Sequence, residues 1–177
     1  MFKYIFSILV LLVMGCHGPV QEELVLFDFE SDNELDRFHW KCRTLLSLSE
    51  DHATHGNRSL MLELYPSGYP GMSPLLKDKD WRAYESLNLD IYNPEEKEMK
   101  IVVRIDDRGD APDYDDRYNH SFVLMPGSNR INIPLNTLVT SGTKRNLDLK
   151  DIQALVIFMV NPLEKHRVFI DYVRLQG

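Results

Sequence analysis

The chain reads as an all-β protein, an antiparallel β-sandwich of eight or nine strands, and three observations carry that reading. Short segments alternate apolar and polar residues with a period of two, the pattern of strands with one buried face. Clusters of Gly, Pro, Asn, Asp and Ser separate them at close intervals. Beyond the extreme N-terminus, no segment sustains a helical period over three turns. Two half-apolar sheets can then bury each other.

The first segment is of another kind. Lys3 is followed by an apolar run from Tyr4 to Met14, broken only by Ser7, and then by Gly15-Cys16. Such a run falls well short of the roughly 20 residues that span a bilayer, which favours a cleaved signal over residues 1–15. Val13-Met14-Gly15-Cys16 resembles the bacterial lipobox, with Met14 bulkier than the residue usual at that place. The resemblance implies acylation of Cys16, a short tether over 16–23, and an extracytoplasmic domain at 24–177 held to a bacterial membrane, the outer one in a Gram-negative cell. More than one acyl chain is what stable anchoring requires.

Net charge is -7, and Cys42 is the only other cysteine. An acidic surface argues against nucleic acid and anionic lipid as partners, leaving the anchor as the only membrane contact. With Cys16 acylated no intramolecular disulfide remains, and Cys42 reads as a buried, inert thiol. About 160 of the 177 residues are left for folding, one domain's worth and enough for a core without staples.

From Leu24 the segments follow in order. LVLFDFE puts Phe27 and Phe29 on one face and Asp28 and Glu30 on the other. Ser31 to Arg37 is polar, with about one helical turn. Thr44–Ser49 and Ser59–Leu64 read as strands, the second with Leu60, Leu62 and Leu64 inward. YPSGYPGMSP, at 65–74, is too dense in Pro and Gly for either regular structure. In SLNLDIYNP, Leu87, Leu89 and Ile91 face in while Asn88, Asp90 and Tyr92 face out. Ala154–Val160 is apolar throughout, as an interior strand is, and RVFIDYVRL closes the chain.

The centre of the chain is Lys100 to Leu135, which reads as strand, acidic loop, strand, turn, strand. The reading makes it a meander, with Pro126-Gly127-Ser128-Asn129 reversing the chain between neighbouring strands. Six aspartates fall between Asp106 and Asp116. Pairs such as Asp106 with Asp107 or Asp113 have the makings of a glycosidase, and Asp113-Tyr114-Asp115 resembles a transferase DxD, but a run this acidic makes such pairs by chance and is by default a solvated loop. No HExxH, nucleophile elbow or EF-hand spacing is present.

Five pieces, FDFES, THGNRSLMLEL, DWRAYESLNLDIYNP, MPGSNRINIPL and VFIDYVRL, stand in the order found in galactose-binding-domain-like jelly rolls. The chain resembles the carbohydrate-binding modules of this superfamily, and the related domain of the complex I intermediate-associated protein. The resemblance implies a non-catalytic module binding polysaccharide or oligosaccharide, with a partner protein as the alternative ligand and a hydrolase or lyase third. It also implies a structural calcium ion, with side chains from Asp28, Glu30 and Asp171 and oxygens from Thr54, Gly56 and Asn57. Trp40 and Trp81 stand where such modules pack their core. A sugar site needs an aromatic platform beside planar hydrogen-bonding groups. If the strands at 86–93 and 99–106 are neighbours, Asn88, Asp90 and Tyr92 lie beside Arg104 and Asp106, with Tyr65, Tyr69, Tyr114 and Tyr118 as further platforms. An ion pair of Arg104 with Asp90 or Asp106 across strands is the plainer reading of the same residues.

Overall fold

The computed structural model describes residues 22–40, 42–109 and 112–177, apart from the side chains of His39 and Trp40. The signal segment, Cys16 and most of the tether lie outside the described residues, as does the side chain of Trp40. Among the described residues eleven strands form two antiparallel sheets. They are β1 (Glu23–Phe27), β2 (Phe38–Trp40), β3 (Thr44–Ser49), β4 (Ser59–Leu64), β5 (Gly71–Pro74), β6 (Ser86–Asn93), β7 (Met99–Asp106), β8 (Tyr118–Leu124), β9 (Gly127–Pro134), β10 (Ala154–Phe158) and β11 (His166–Gln176). One sheet runs β3-β4-β11-β6-β9 with β1 also on β11; the other runs β2-β5-β10-β7-β8.

The core is the space between them. Leu60, Leu62 and Leu64 of β4 and Leu87, Leu89 and Ile91 of β6 face Ile101, Val103 and Ile105 of β7 and Leu155 and Ile157 of β10, all buried. Each such side chain contributes roughly 1.5–3 kcal/mol by leaving water. Trp81 is fully buried and its indole N–H donates to the Asp78 carbonyl at 3.2 Å, so its polar atom is satisfied inside the core. β11 keeps Val168, Ile170, Val173 and Leu175 inward across a register shift between Asp171 and Arg174, where Tyr172 takes φ 47°. Without that bulge the second half of the strand would present its polar residues to the core.

Three expectations need correction. The Pro-Gly segment does contain a strand: β5 lies between β2 and β10, with Gly71 opposite Phe158. A Cβ on Gly71 would meet the Phe158 Cβ at 2.4 Å, so glycine is required by a neighbour distant in sequence. β7 and β8 pair as expected, but β9 pairs with β6. The Pro126–Asn129 turn, closed by Asn129 bonding both the N–H (2.9 Å) and the carbonyl (2.8 Å) of Met125, carries the chain from one sheet to the other. Third, β6 and β7 are consecutive in sequence yet belong to different sheets.

Candidate binding cleft

The outer face of the five-stranded sheet is hollow. On β7 the alternation that buries Ile101, Val103 and Ile105 turns Val102, Arg104 and Asp106 outward. The register sets Phe158 and Val156 of β10 beside Val102 and Arg104 on one flank, and Ser121 and Asn119 of β8 beside them on the other. Ser73 extends the surface onto β5. The resulting cleft encloses about 760 Å³. It crosses four strands, a span of roughly 15 Å at the usual interstrand spacing. Its floor is mainly apolar, from Val102, Ala154, Val156 and Phe158.

Two tyrosines stand at diagonally opposite corners. Tyr69 precedes β5 at the Val102–Phe158 end, 57% exposed, with its ring edge-on to Phe158 at 5.9 Å. Tyr114 is 65% exposed in the single 3-10 turn Tyr114–Asp116, beyond the Arg104–Asp106 end.

The polar groups are fixed from behind. Asp106, 2% exposed, holds Arg104 through both carboxylate oxygens, with Arg104 Nε to Oδ1 at 2.9 Å and Nη2 to Oδ2 as the second bond. This is an i,i+2 pair along one strand, not the cross-strand pair expected. Arg117 at the far end donates its Nε to the Pro112 carbonyl.

The acidic loop is organised by arginine. Arg145 binds Asp107 at 2.6 and 2.9 Å and Asp116 at 3.0 and 3.1 Å, while Arg108 reaches Asp116 at 2.6 Å. Burial pushes the Asp107 carboxyl up, but the Arg145 hydrogen bonds and the Asp148 N–H outweigh it and hold the group below the usual carboxylate range. Of the carboxylates weighed for acid–base chemistry, Asp106 thus faces Arg104, Asp107 faces Arg145, and Asp113 lines a separate concavity with Arg108 and Arg145.

Only part of the predicted site is brought together. Arg104 and Tyr69 line the cleft, with Asp106 beneath Arg104. Asn88, Asp90 and Tyr92 lie on the opposite sheet because β6 pairs with β9 and β11. There Asp90 is buried and bonded by Arg130 at 3.2 Å and Arg174 at 3.3 Å, Asn88 accepts from Asn132 at 2.8 Å, and the Tyr92 ring is stacked on His52 at 3.5 Å. Tyr118 points inward at 9% exposure, and burial raises its hydroxyl pKa. Tyr65 lies by β4, bonded to Glu63 with Lys165 over its ring. Cys42 is half-buried and free, not fully buried. Phe158, Arg117, Asn119 and Ser121 were not foreseen. The alternation Asn119, Ser121 against Tyr118, Phe122 was present to be read, but the sheet to which it belonged was not.

The six residues assigned to calcium do converge on one corner, where their oxygens meet hydrogen donors. Asp171 Oδ2 accepts from Thr54 N at 2.6 Å, Thr54 Oγ1 at 3.2 Å and His55 N at 2.8 Å, and its Oδ1 accepts from Tyr172 N at 2.7 Å. Four bonds fill the acceptor sites of a carboxylate. Burial still holds the Asp171 carboxyl above its ordinary range, against the pull of these donors. Glu30 Oε1 accepts from Asn57 N at 2.8 Å and Arg58 N at 2.7 Å. Gly56, at φ 67°, leaves space for that carboxylate, which a Cβ would meet at 2.5 Å. Asp28 lies 3.9 Å from His55 Nδ1. Among the described residues no three His, Cys, Asp or Glu side chains form a metal-holding group. In this arrangement the turn gives the carboxylates N–H groups, whereas calcium would need oxygens at the same places. Melting with calcium and with EDTA is accordingly expected to give the same midpoint. A rise of several degrees in calcium would return the ion to this corner.

No protein-family model matches the chain, and no curated protein does. Solved structures do. A family 11 carbohydrate-binding module from Clostridium thermocellum, in complex with a β-1,3-1,4-mixed-linked tetrasaccharide, matches at TM-score 0.68 and 15% identity over 86% of this chain and 94% of that one. An exo-β-agarase matches at TM-score 0.71 and 19% identity, over 86% of this chain but only 24% of the agarase. The N-terminal CBM22-1-GH10 modules of the Clostridium thermocellum xylanase 10B, complexed with xylohexaose, match at TM-score 0.59 and 11% identity, over 87% of this chain and 28% of that one. At these identities the likeness establishes the fold, the jelly-roll sandwich of carbohydrate-binding modules.

Proposed function

We propose that the chain binds polysaccharide non-catalytically in the cleft of the five-stranded sheet, as an extracytoplasmic lipoprotein anchored through Cys16. The observation that carries this is the cleft itself: an apolar floor across four strands, exposed tyrosines at opposite corners, and a guanidinium locked between them. Sugar rings present polarised C–H groups to aromatic faces and hydroxyls to planar donors, which is what Tyr69, Tyr114 and Arg104 offer. An open trough suits the interior of a chain better than a closed pocket would. Two of the structures sharing the fold carry oligosaccharides. The resemblance of Val13-Met14-Gly15-Cys16 to a lipobox supports the anchor, and such an anchor would hold the cleft where extracellular polymers are met.

Affinity electrophoresis through gels containing a panel of plant and algal polysaccharides tests the reading. At least one polymer is expected to retard the protein. Tyr69→Ala and Tyr114→Ala are each expected to weaken that retention about tenfold, about 1.4 kcal/mol, with unchanged melting because both rings are largely exposed. Retention by no polymer of a broad panel would overturn glycan binding and favour a docked protein.

A further inference from the structure

The charged groups of the cleft are unevenly balanced for a neutral sugar chain. A hydroxyl both donates and accepts, so neutral glycans are matched by a mixture of donors and acceptors. Here the carboxylate on the cleft face of β7, Asp106, is almost wholly buried and turns both oxygens to Arg104. The charged groups that do face the ligand are donors. Arg104 keeps Nη1 free, and Arg117, bonded only through Nε to Pro112, keeps both terminal nitrogens free among the described residues. Ser73 donates to the Leu155 carbonyl at 3.0 Å and has acceptor capacity left, as do Asn119 and Ser121.

The aspartates flanking Tyr114 do not restore the balance. Asp113 lines the separate concavity beside Arg108 and Arg145. Asp115 packs against Gly142, whose Cβ position lies 2.4 Å from its carboxyl carbon, and its carbonyl takes the N–H groups of Gly142 and Thr143. Among the described residues, with Asp106 compensating Arg104, the cleft wall holds one positive charge without a carboxylate partner, Arg117, in a chain of net charge -7.

We infer that the cleft selects polysaccharides bearing anionic oxygens, uronate carboxylates or sulfate esters, with Arg117 as the principal contact and the free edge of Arg104 as the second. A guanidinium offers two parallel N–H groups in the spacing that carboxylate and sulfate oxygens accept, and such charge-assisted bonds are the strong ones. Arg117 holds its direction because the Pro112 carbonyl pins its Nε, so its fork is ordered before a ligand arrives. The apolar floor lowers the local dielectric and strengthens the pairing. The inference rests on the cleft being the glycan site.

The experiment compares matched polymers on the full chain in mild detergent by isothermal titration. Polygalacturonate is set against its methyl ester, carboxymethyl glucan against mixed-linkage β-glucan, and sulfated galactan against agarose. One anionic member is expected to bind at least tenfold tighter than its neutral partner. Arg117→Gln is expected to erase that difference, Arg117→Lys to restore part of it, and both to melt as the parent does. Raising NaCl from 50 to 500 mM is expected to shrink the preference while neutral binding holds. Equal or tighter binding of the neutral members overturns the inference and leaves glycan binding standing. Binding of dextran sulfate as tight as the best polymer, and insensitive to Tyr69→Ala, overturns it as ionic adsorption. Binding of no polymer at all overturns both.

Discussion

Arg104→Ala is expected to lower the stability of the fold by about 3–5 kcal/mol, far more than a change in a half-exposed binding residue ordinarily costs. The reason lies in Asp106. Its side chain is 2% exposed at the end of an interior strand, and Arg104 is the group that bonds both its oxygens. Truncating the arginine strands a buried carboxylate, whereas removing both members strands nothing. Arg104→Ala/Asp106→Ala is therefore expected to recover at least about 2 kcal/mol of the loss, a coupling read from urea midpoints in a double-mutant cycle. Equal losses in the single and double variants would show that Asp106 reaches water on its own. It also follows that Arg104→Ala is a poor probe of ligand contact, because lost binding would be confounded with lost structure. Tyr69 and Tyr114 carry that test without the complication.

Arg145→Ala is expected to cost about 3 kcal/mol and to weaken glycan retention as well, although Arg145 does not line the cleft. The Asp107 side chain is 2% exposed and would keep its bond from the Asp148 N–H at 2.7 Å but lose both from Arg145, while Asp116 would keep Arg108. Asp107 lies close to the protein boundary, so the lower end of the range for a broken buried pair applies. The loop so released carries Tyr114 and Arg117, which links the ion pairs to the cleft. The effect depends on pH with a definite sign. A carboxyl held below its ordinary range in the folded state contributes stability that is present above its unfolded pKa and disappears as pH falls through the folded value. The parent should therefore lose this contribution in acid, below about pH 4, and the gap between parent and Arg145→Ala should narrow from pH 7 to pH 3. A gap of the same size at both pH values would assign the stabilisation to packing of the Arg145 stem.

Much of the fold was legible before any coordinates. Thr44–Ser49 and Ser59–Leu64 are strands at the bounds the alternation gave, and Leu60, Leu62 and Leu64 are the inward set. Ser31–Arg37 holds a short 3-10 helix, Asp32–Arg37, longer than the single turn expected and capped by Ser31, and Trp81 is core. These are local matters: a period-two pattern states which residues share a face, and a Pro-Gly-Ser-Asn run states where the chain turns. Arg104 and Tyr69, read from the sequence as sugar contacts, and Tyr114, read as a further platform, all line the one cleft, because an exposed aromatic beside a planar charged group is itself a chemical signal.

What the pattern does not carry is the partner of each strand. Nothing in SLNLDIYNP says that it lies beside β9 and β11 and not beside β7, and on that one choice Asn88, Asp90 and Tyr92 moved to the far side of the molecule. Gly71 reads as a loop breaker until Phe158 is set against it, and Asp106 reads as a ligand contact until its burial beneath Arg104 is seen. Alternation along a strand is written in neighbouring residues, so the sequence alone determined most of the strands and their buried faces, though not β5. Pairing between strands is settled by which distant faces bury each other best, and only the tertiary structure decided which side chains share the cleft.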